Sequence, residues 1–126
     1  MSVLITGSNT GFGKLAALSL ARKGEKVIAT MRDLSKGDDI RRAANEEELP
    51  IEIRQLDVCD QEMVKDCLAD AQEIEAIVNN AGFEIQAAVE PLEDELMWNQ
   101  LDTNLLGPLR LIRSVLPVWT QRGSGV

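Results

Sequence analysis

Apolar positions along the chain follow two alternating rhythms. Short runs rich in Val, Ile and Leu occur at "SVLITG" (2–7), "KVIATMR" (26–32), "IEIRQLDV" (51–58) and "IEAIVNNAG" (74–82), and they predict four strands. Between them lie longer segments with helical spacing. Residues 12–23 carry Leu15, Leu18 and Leu20, and Gly24 stands where a helix can end on a left-handed residue. Residues 34–48 are polar and acidic, which predicts a solvated helix with Ile40 and Ala43 turned inward and Pro50 as its stop. Asp60 is placed to cap a helix through Leu68 and Ala71. After Pro91 the pattern is helical to Gln121, with Gly107 and Pro108 inside it, and "RGSG" reads as a turn.

Alternating strands and helix-length connections argue for an α/β domain whose strands are parallel and joined by right-handed crossovers. The 126 residues fit one domain, 1–126, and no repeat, low-complexity segment or linker divides it. Aromatic residues are scarce (two Trp, two Phe, no Tyr), so the core must rest on Leu, Ile, Val and Ala. With 13 basic and 21 acidic residues the net charge is −8, which repels a polyanion and argues against a nucleic-acid partner. No apolar run approaches a membrane span, and residues 1–6 read as a strand rather than a secretory leader. Two cysteines, Cys59 and Cys67, make no disulfide framework and fit a cytoplasmic setting. The absence of histidine removes His-based metal sites and Ser-His or Cys-His nucleophile pairs, and no metal site is expected.

The chemistry is concentrated in "TGSNTGFG" at 6–13. A strand that enters a helix through a glycine turn points free N–H groups and the positive end of the helix dipole at whatever lies above the strand ends, and an anion is favoured there. Gly7 suits a sharp turn, Gly11 a close backbone approach to a pyrophosphate, and Gly13 tight packing of helix on strand. A glycine-rich βα turn without a ligand is the bland alternative, and such a triplet matches by chance. The spacing is T-G-x-x-x-G-x-G, and here the sequence resembles the short-chain dehydrogenase/reductase family. Three further stretches carry the resemblance in the same order: "QLDVCD" at 55–60, "NNAG" at 79–82, and "DTNLLGPLRLIRSVLP" at 102–117. Singly, Asp57 could cap a loop, and Asn79 and Asn80 could be turn formers; together the four motifs share one explanation.

The resemblance implies a Rossmann-like parallel sheet of strand order 3-2-1-4 that stops before the family's fifth strand. It implies a dinucleotide held by Gly7, Ser8, Asn9, Thr10, Gly11, Phe12 and Gly13, with Asp57 and Val58 at the adenine and Asn80, Ala81 and Gly82 against the ribose. At the end of the second strand, Met31 stands where an NAD-binding member carries an acid, and Arg32 follows. Arg32 either clamps a 2′-phosphate or is an ordinary surface arginine. NADP is favoured over NAD, although Asp33 next to Arg32 weakens the case and Thr10 takes a place where NADP-using relatives carry a basic residue. "TGFG" and "ATMRDL" together resemble the hydroxysteroid and retinol branch.

The family transfers a hydride between nicotinamide and a carbonyl or alcohol, with a tyrosine, a lysine, a serine and an asparagine as its catalytic set. The chain has no tyrosine, and only Asn104 matches that set. The expected function is therefore the N-terminal portion of such an oxidoreductase, inactive as an isolated chain, or else a non-catalytic dinucleotide-binding or interaction module. A small alcohol or ketone is a partner only if the remaining half is present. Homo-oligomers are expected on two grounds, an unprotected edge at "EAIVN" and an apolar helix side through Leu105, Leu109, Ile112 and Leu116. Pro108 cannot donate to the carbonyl of Asn104, so the helix is expected to kink or bulge near Gly107, leaving that carbonyl as one end of a proton relay.

Overall fold

Each of the four apolar runs becomes a strand in the computed structural model, which describes residues 1–126. The strands are β1 (Ser2–Ile5), β2 (Lys26–Met31), β3 (Ile51–Gln55) and β4 (Ala76–Val78), all parallel, in the order β3-β2-β1-β4. Val3 sits opposite both Val27 and Ala76, which places β1 at the centre, buried along its whole length. A parallel strand covered on both faces has no polar side to display, which is why "VLI" shows no alternation.

The two faces build two cores. Val3, Ile5, Val27 and Ala29 pack with Ala17, Leu18 and Ala21 of α1 (Gly11–Arg22) and Ile40 of α2 (Asp38–Glu46). Leu4 and Ile28 point to the other face, against Val64 and Cys67 of α3 (Gln61–Cys67) and Leu111 and Val115 of α5 (Gly107–Arg122). The remaining helix, α4 (Asp94–Leu101), buries no residue and runs through a π-helical turn, Asp102–Leu106, into α5. No helix is long and apolar enough to cross a membrane.

Several expected boundaries shift. Leu15 is 61% exposed; α1 turns Gly13, Ala17 and Ala21 inward beside the expected Leu18, because small residues let the helix lie close to the sheet. The polar segment divides into a 3-10 turn, Leu34–Gly37, and α2. Its stop is Glu48 in the left-handed region (φ 52°), with Leu49 N donating to Ala44 O, rather than Pro50. Asp60 caps α3 as expected, accepting from Glu62 N and Met63 N, but the helix ends at Cys67, and Leu68 and Ala71 reach the core from the turns beyond. The outer side of β4 is not bare: Ile77 N donates to Val126 O, and Val126 N donates to Glu75 O. Arg122 holds that strap in place by donating to the carbonyls of Gln72, Ile74 and Ser124.

Candidate functional site

The carboxyl ends of β1, β2 and β4 open into a cleft of about 350 Å3, and the loops that leave those strands form its walls. In an open parallel sheet this is where a ligand finds backbone donors and loop side chains together.

The turn between β1 and α1 is shaped by its glycines. Gly7 has φ 67°, and a Cβ there would lie 3.0 Å from Ala81 Cα. A Cβ on Gly13 would collide with Gly7 O and Asn80 Nδ2, so only glycine lets α1 approach the turn. Gly11 differs: its φ is 56° and nothing stands within 4 Å of the missing side chain, so space is open above it. Thr10 occupies the N-cap without a side-chain cap, and the first turn of α1 carries no acid. Its N–H groups therefore face the open space without a side-chain acceptor, an arrangement that suits an anion.

Thr6 locks this turn to the segment after β4. Its buried hydroxyl accepts from Asn80 N (3.0 Å) and Ala81 N (2.9 Å). Asn80 returns the tie, its Nδ2 donating to Thr6 O (2.9 Å) and Gly7 O (3.1 Å). Asn80, Ala81 and Gly82 line the cleft, as do Gly7, Asn9, Thr10 and Phe12; the Phe12 ring is 86% exposed. Ser8 is the exception among the expected contacts. It is fully buried, with Oγ donating to Ile5 O (2.9 Å) and N donating to Thr30 O (2.8 Å), so its hydroxyl shapes the loop and does not reach the cleft.

At the end of β2, Met31 is buried and Arg32 stands exposed at the cleft mouth. Asp33 does not pair with Arg32. Its carboxylate accepts from Ser35 N (3.0 Å) and Ser35 Oγ (2.6 Å), and these bonds hold its pKa below the usual range. A smaller cavity of about 80 Å3 adjoins here, lined by Asn9, Arg32, Asp33 and Lys36.

The far wall comes from the end of β3 and the π turn. Asp57 accepts from Cys59 N (2.9 Å), and Val58 packs so closely on Gly107 that a Cβ there would lie 2.6 Å from Val58 Cγ2. Arg110 donates to Val58 O (3.3 Å) and pairs with Asp102 (2.6 Å), holding that carboxyl below its usual pKa range. Burial pushes the Cys59 thiol up; its Sγ lies 3.3 Å from Thr103 Oγ1. Asn104 brackets one peptide: Phe83 N donates to its Oδ1 (3.1 Å), and its Nδ2 donates to Phe83 O (2.8 Å). Asn104 itself is exposed, and Thr103 and Phe83 form the cleft wall at this point. The expected bulge is present, since Gly107 N donates to Asp102 O, five residues back.

The structure thus gathers Gly7, Asn9, Thr10, Phe12, Arg32, Asp57, Val58, Asn80, Ala81 and Gly82 around one cleft, with Gly13 packed behind the turn; Gly11 and Ser8 do not line it. Leu56, Phe83, Thr103 and Lys36 were not expected there. Leu56 and Thr103 lie inside two of the quoted motifs without being singled out by them, Phe83 and Lys36 lie in none, and the places of all four depend on how distant loops meet. The set fits an extended anionic dinucleotide, because a turn in which Gly7 and Gly13 leave no room for a Cβ adjoins uncapped N–H groups and a cation.

Comparison with known proteins agrees with this geometry. A family model described as short chain dehydrogenase matches residues 1–126. Retinol dehydrogenase 8 from Homo sapiens is 40% identical over 129 residues, covering 98% of this chain and 42% of that protein. The 17-beta-hydroxysteroid dehydrogenase type 1 from Homo sapiens is 34% identical over 131 residues, covering 98% and 40%. The chain therefore spans less than half the length of these curated relatives. Among solved structures, an actinorhodin polyketide ketoreductase with NADPH superposes with a TM-score of 0.90 at 28% identity, covering 98% of this chain and 50% of that one.

Proposed function

The chain belongs to the short-chain dehydrogenase family, and from that premise we propose that it is the NADP-binding N-terminal portion of an enzyme that transfers a hydride between nicotinamide and a carbonyl or alcohol. The observation that carries the cofactor choice is Arg32, unpaired at the cleft mouth beside a buried Met31, while the neighbouring acid is turned to Ser35. An acid in place of Met31 would favour a ribose hydroxyl; an arginine with no acid against it favours a phosphate.

The cofactor, when bound, supplies the hydride chemistry. The residues of this chain bind and orient it. The N–H groups at the start of α1 would hold the pyrophosphate, and Gly7 and Gly13 keep the turn clear. Asp57 and Val58 would bound the adenine end, and Asn80, Ala81 and Gly82 would stand at the ribose, the first two of them held by the Thr6 hydroxyl. Asn104 positions the peptide of Phe83 and is the one residue here assigned to the catalytic set. The proposal places the tyrosine that exchanges the proton outside these residues, since the chain contains none. The isolated chain therefore holds cofactor without turning over alcohols. The two relatives are named for retinol and a 17-beta-hydroxysteroid, which supports an apolar alcohol or ketone as substrate. Two free thiols, Cys59 and Cys67, support a cytoplasmic setting.

Calorimetric titration of the chain with NADPH and NADH tests this. Tighter binding of NADPH, lost in Arg32→Ala, is expected. Equal affinities overturn the choice of NADP, and no binding of either overturns the cofactor role.

A further inference from the structure

On the face of the sheet that carries Leu4 and Ile28, α3 and α5 pack next to each other, and Val64, Leu111 and Val115 meet in the core beneath them. Residues one turn apart on the flanks of those helices stand on either side of the seam: Gln61 and Lys65 from α3, and Arg110, Arg113 and Ser114 from α5. Between them runs a groove of about 340 Å3, with the buried Val64 as its floor and its one apolar residue. The groove shares no lining residue with the cleft at the strand ends.

Its charge is opposite to that of the molecule. The chain carries a net −8, yet Lys65, Arg110 and Arg113 all line this groove and no acid does. Arg113 enters no ion pair. Lys65 has only Glu62, 3.9 Å away, and a pair so exposed contributes little. Arg110 is tied on one side to Val58 O and Asp102 and keeps guanidinium N–H groups to spare. Like charges gathered along one groove repel each other, and an anion seated among them removes that cost. A single apolar residue gives no bed for a hydrophobic body, and a lone phosphate would fill only a small part of the volume. Guanidinium forks match phosphate oxygens in pairs.

We propose that the groove between α3 and α5 is a second ligand site, one that takes a compact polyphosphate anion of the diphosphate class. Arg113 and Lys65 grip it from opposite walls, Arg110 adds its spare N–H groups, and the Gln61 amide supplies a neutral donor. Part of the grip comes from exposed charges, so affinity falls as salt rises.

The test follows the amide and arginine side-chain NMR signals of the chain during titration with sodium pyrophosphate, with chloride holding the ionic strength low and constant. Saturable shifts are expected at Gln61, Lys65, Arg110 and Arg113, scored apart from any at Gly11 and Gly13 in the turn of the other cleft. Arg113→Gln should weaken binding in the groove about tenfold and Lys65→Gln severalfold, as for charge-assisted contacts in a part-exposed site. Both side chains are exposed, so the variants keep the folded spectrum. Lys23→Gln removes an exposed cation just past α1, outside the groove, and should change nothing. The absence of saturable shifts in the groove overturns the proposal. So does full affinity in Arg113→Gln, or an equal loss in Lys23→Gln, which marks diffuse attraction. Tighter binding there by a tetraglutamate peptide than by pyrophosphate overturns it too, because the groove then docks an acidic chain.

Discussion

The hydroxyl of Thr6 accepts two backbone N–H groups from a segment more than seventy residues away, so a single atom joins the two loops that form the cleft floor. Thr6→Val keeps the shape and strands both donors in a buried place. The expected loss is about 2–4 kcal/mol of stability, read from urea unfolding, with Thr6→Ser largely retaining it. Asp33 gives a second residue-level expectation. Its carboxylate is the only negative charge in the wall of the small cavity. Asp33→Asn keeps an oxygen for Ser35 N and removes the charge, so the preference for NADPH over NADH should rise severalfold in calorimetry. Glycine roles were readable from spacing, but the reason Gly13 must be glycine, the meeting of Gly7 O and Asn80 Nδ2, was not.

Among the elements, the junction of α4 and α5 shows how one imino acid moves a register. The N–H that would bond the Asn104 carbonyl is missing at Pro108, and over Asp102–Leu106 the helix bonds five residues back rather than four. Gly107 emerges directly against Val58, and Arg110 lies where it reaches both Asp102 and Val58 O. Gly107→Ala should cost about 1–3 kcal/mol, because its Cβ would overlap Val58, and thermal unfolding measures that. Asn104→Ala removes both bonds to Phe83; amide exchange at Phe83 should quicken about tenfold while exchange in β1 is unchanged. Pro108 made a bulge readable in advance. That the asparagine would grip Phe83 was not, since nothing local connects them.

Across the whole molecule, the partly buried Arg54 joins the sheet to the end of α3. It donates to both oxygens of Asp70 (2.8 Å each), to Glu52 (2.6 Å) and to Cys67 O (2.9 Å). Arg54 holds the carboxyls of Asp70 and Glu52 below their usual range. A carboxyl whose pKa is depressed on folding adds stability above its unfolded pKa and loses it as the pH falls through the folded value. The urea midpoint should therefore drop as the pH falls from about 5 to about 3, and Arg54→Gln should flatten that slope. The carboxylates are part-exposed, so the effect is modest. Leu105, Leu109, Ile112 and Leu116 remain exposed on the π turn and α5, which supports our proposal of self-association. Sedimentation at tens of micromolar should show dimers or larger species (a weak-interface scale), and Ile112→Glu should shift them toward monomer; a monomeric parent overturns it.

The amino-acid sequence by itself determined what depends on neighbours along the chain. Runs such as "SVLI", short and bounded by glycine, read as buried strands, Asp60 can cap the residues that follow it, Gly24 can end a helix, and Pro108 cannot donate. Parallel pairing followed from the helix-length connections, while the strand order was implied only by the resemblance to the family. The tertiary structure decided what depends on residues far apart in the chain. It turned Ser8 inward to Ile5, took Asp33 away from Arg32, brought Lys36 beside Asn9, and laid Val126 along β4. Side-chain direction in a loop is set by which donors and acceptors the rest of the fold leaves unpaired, and that is known only once the loops have met.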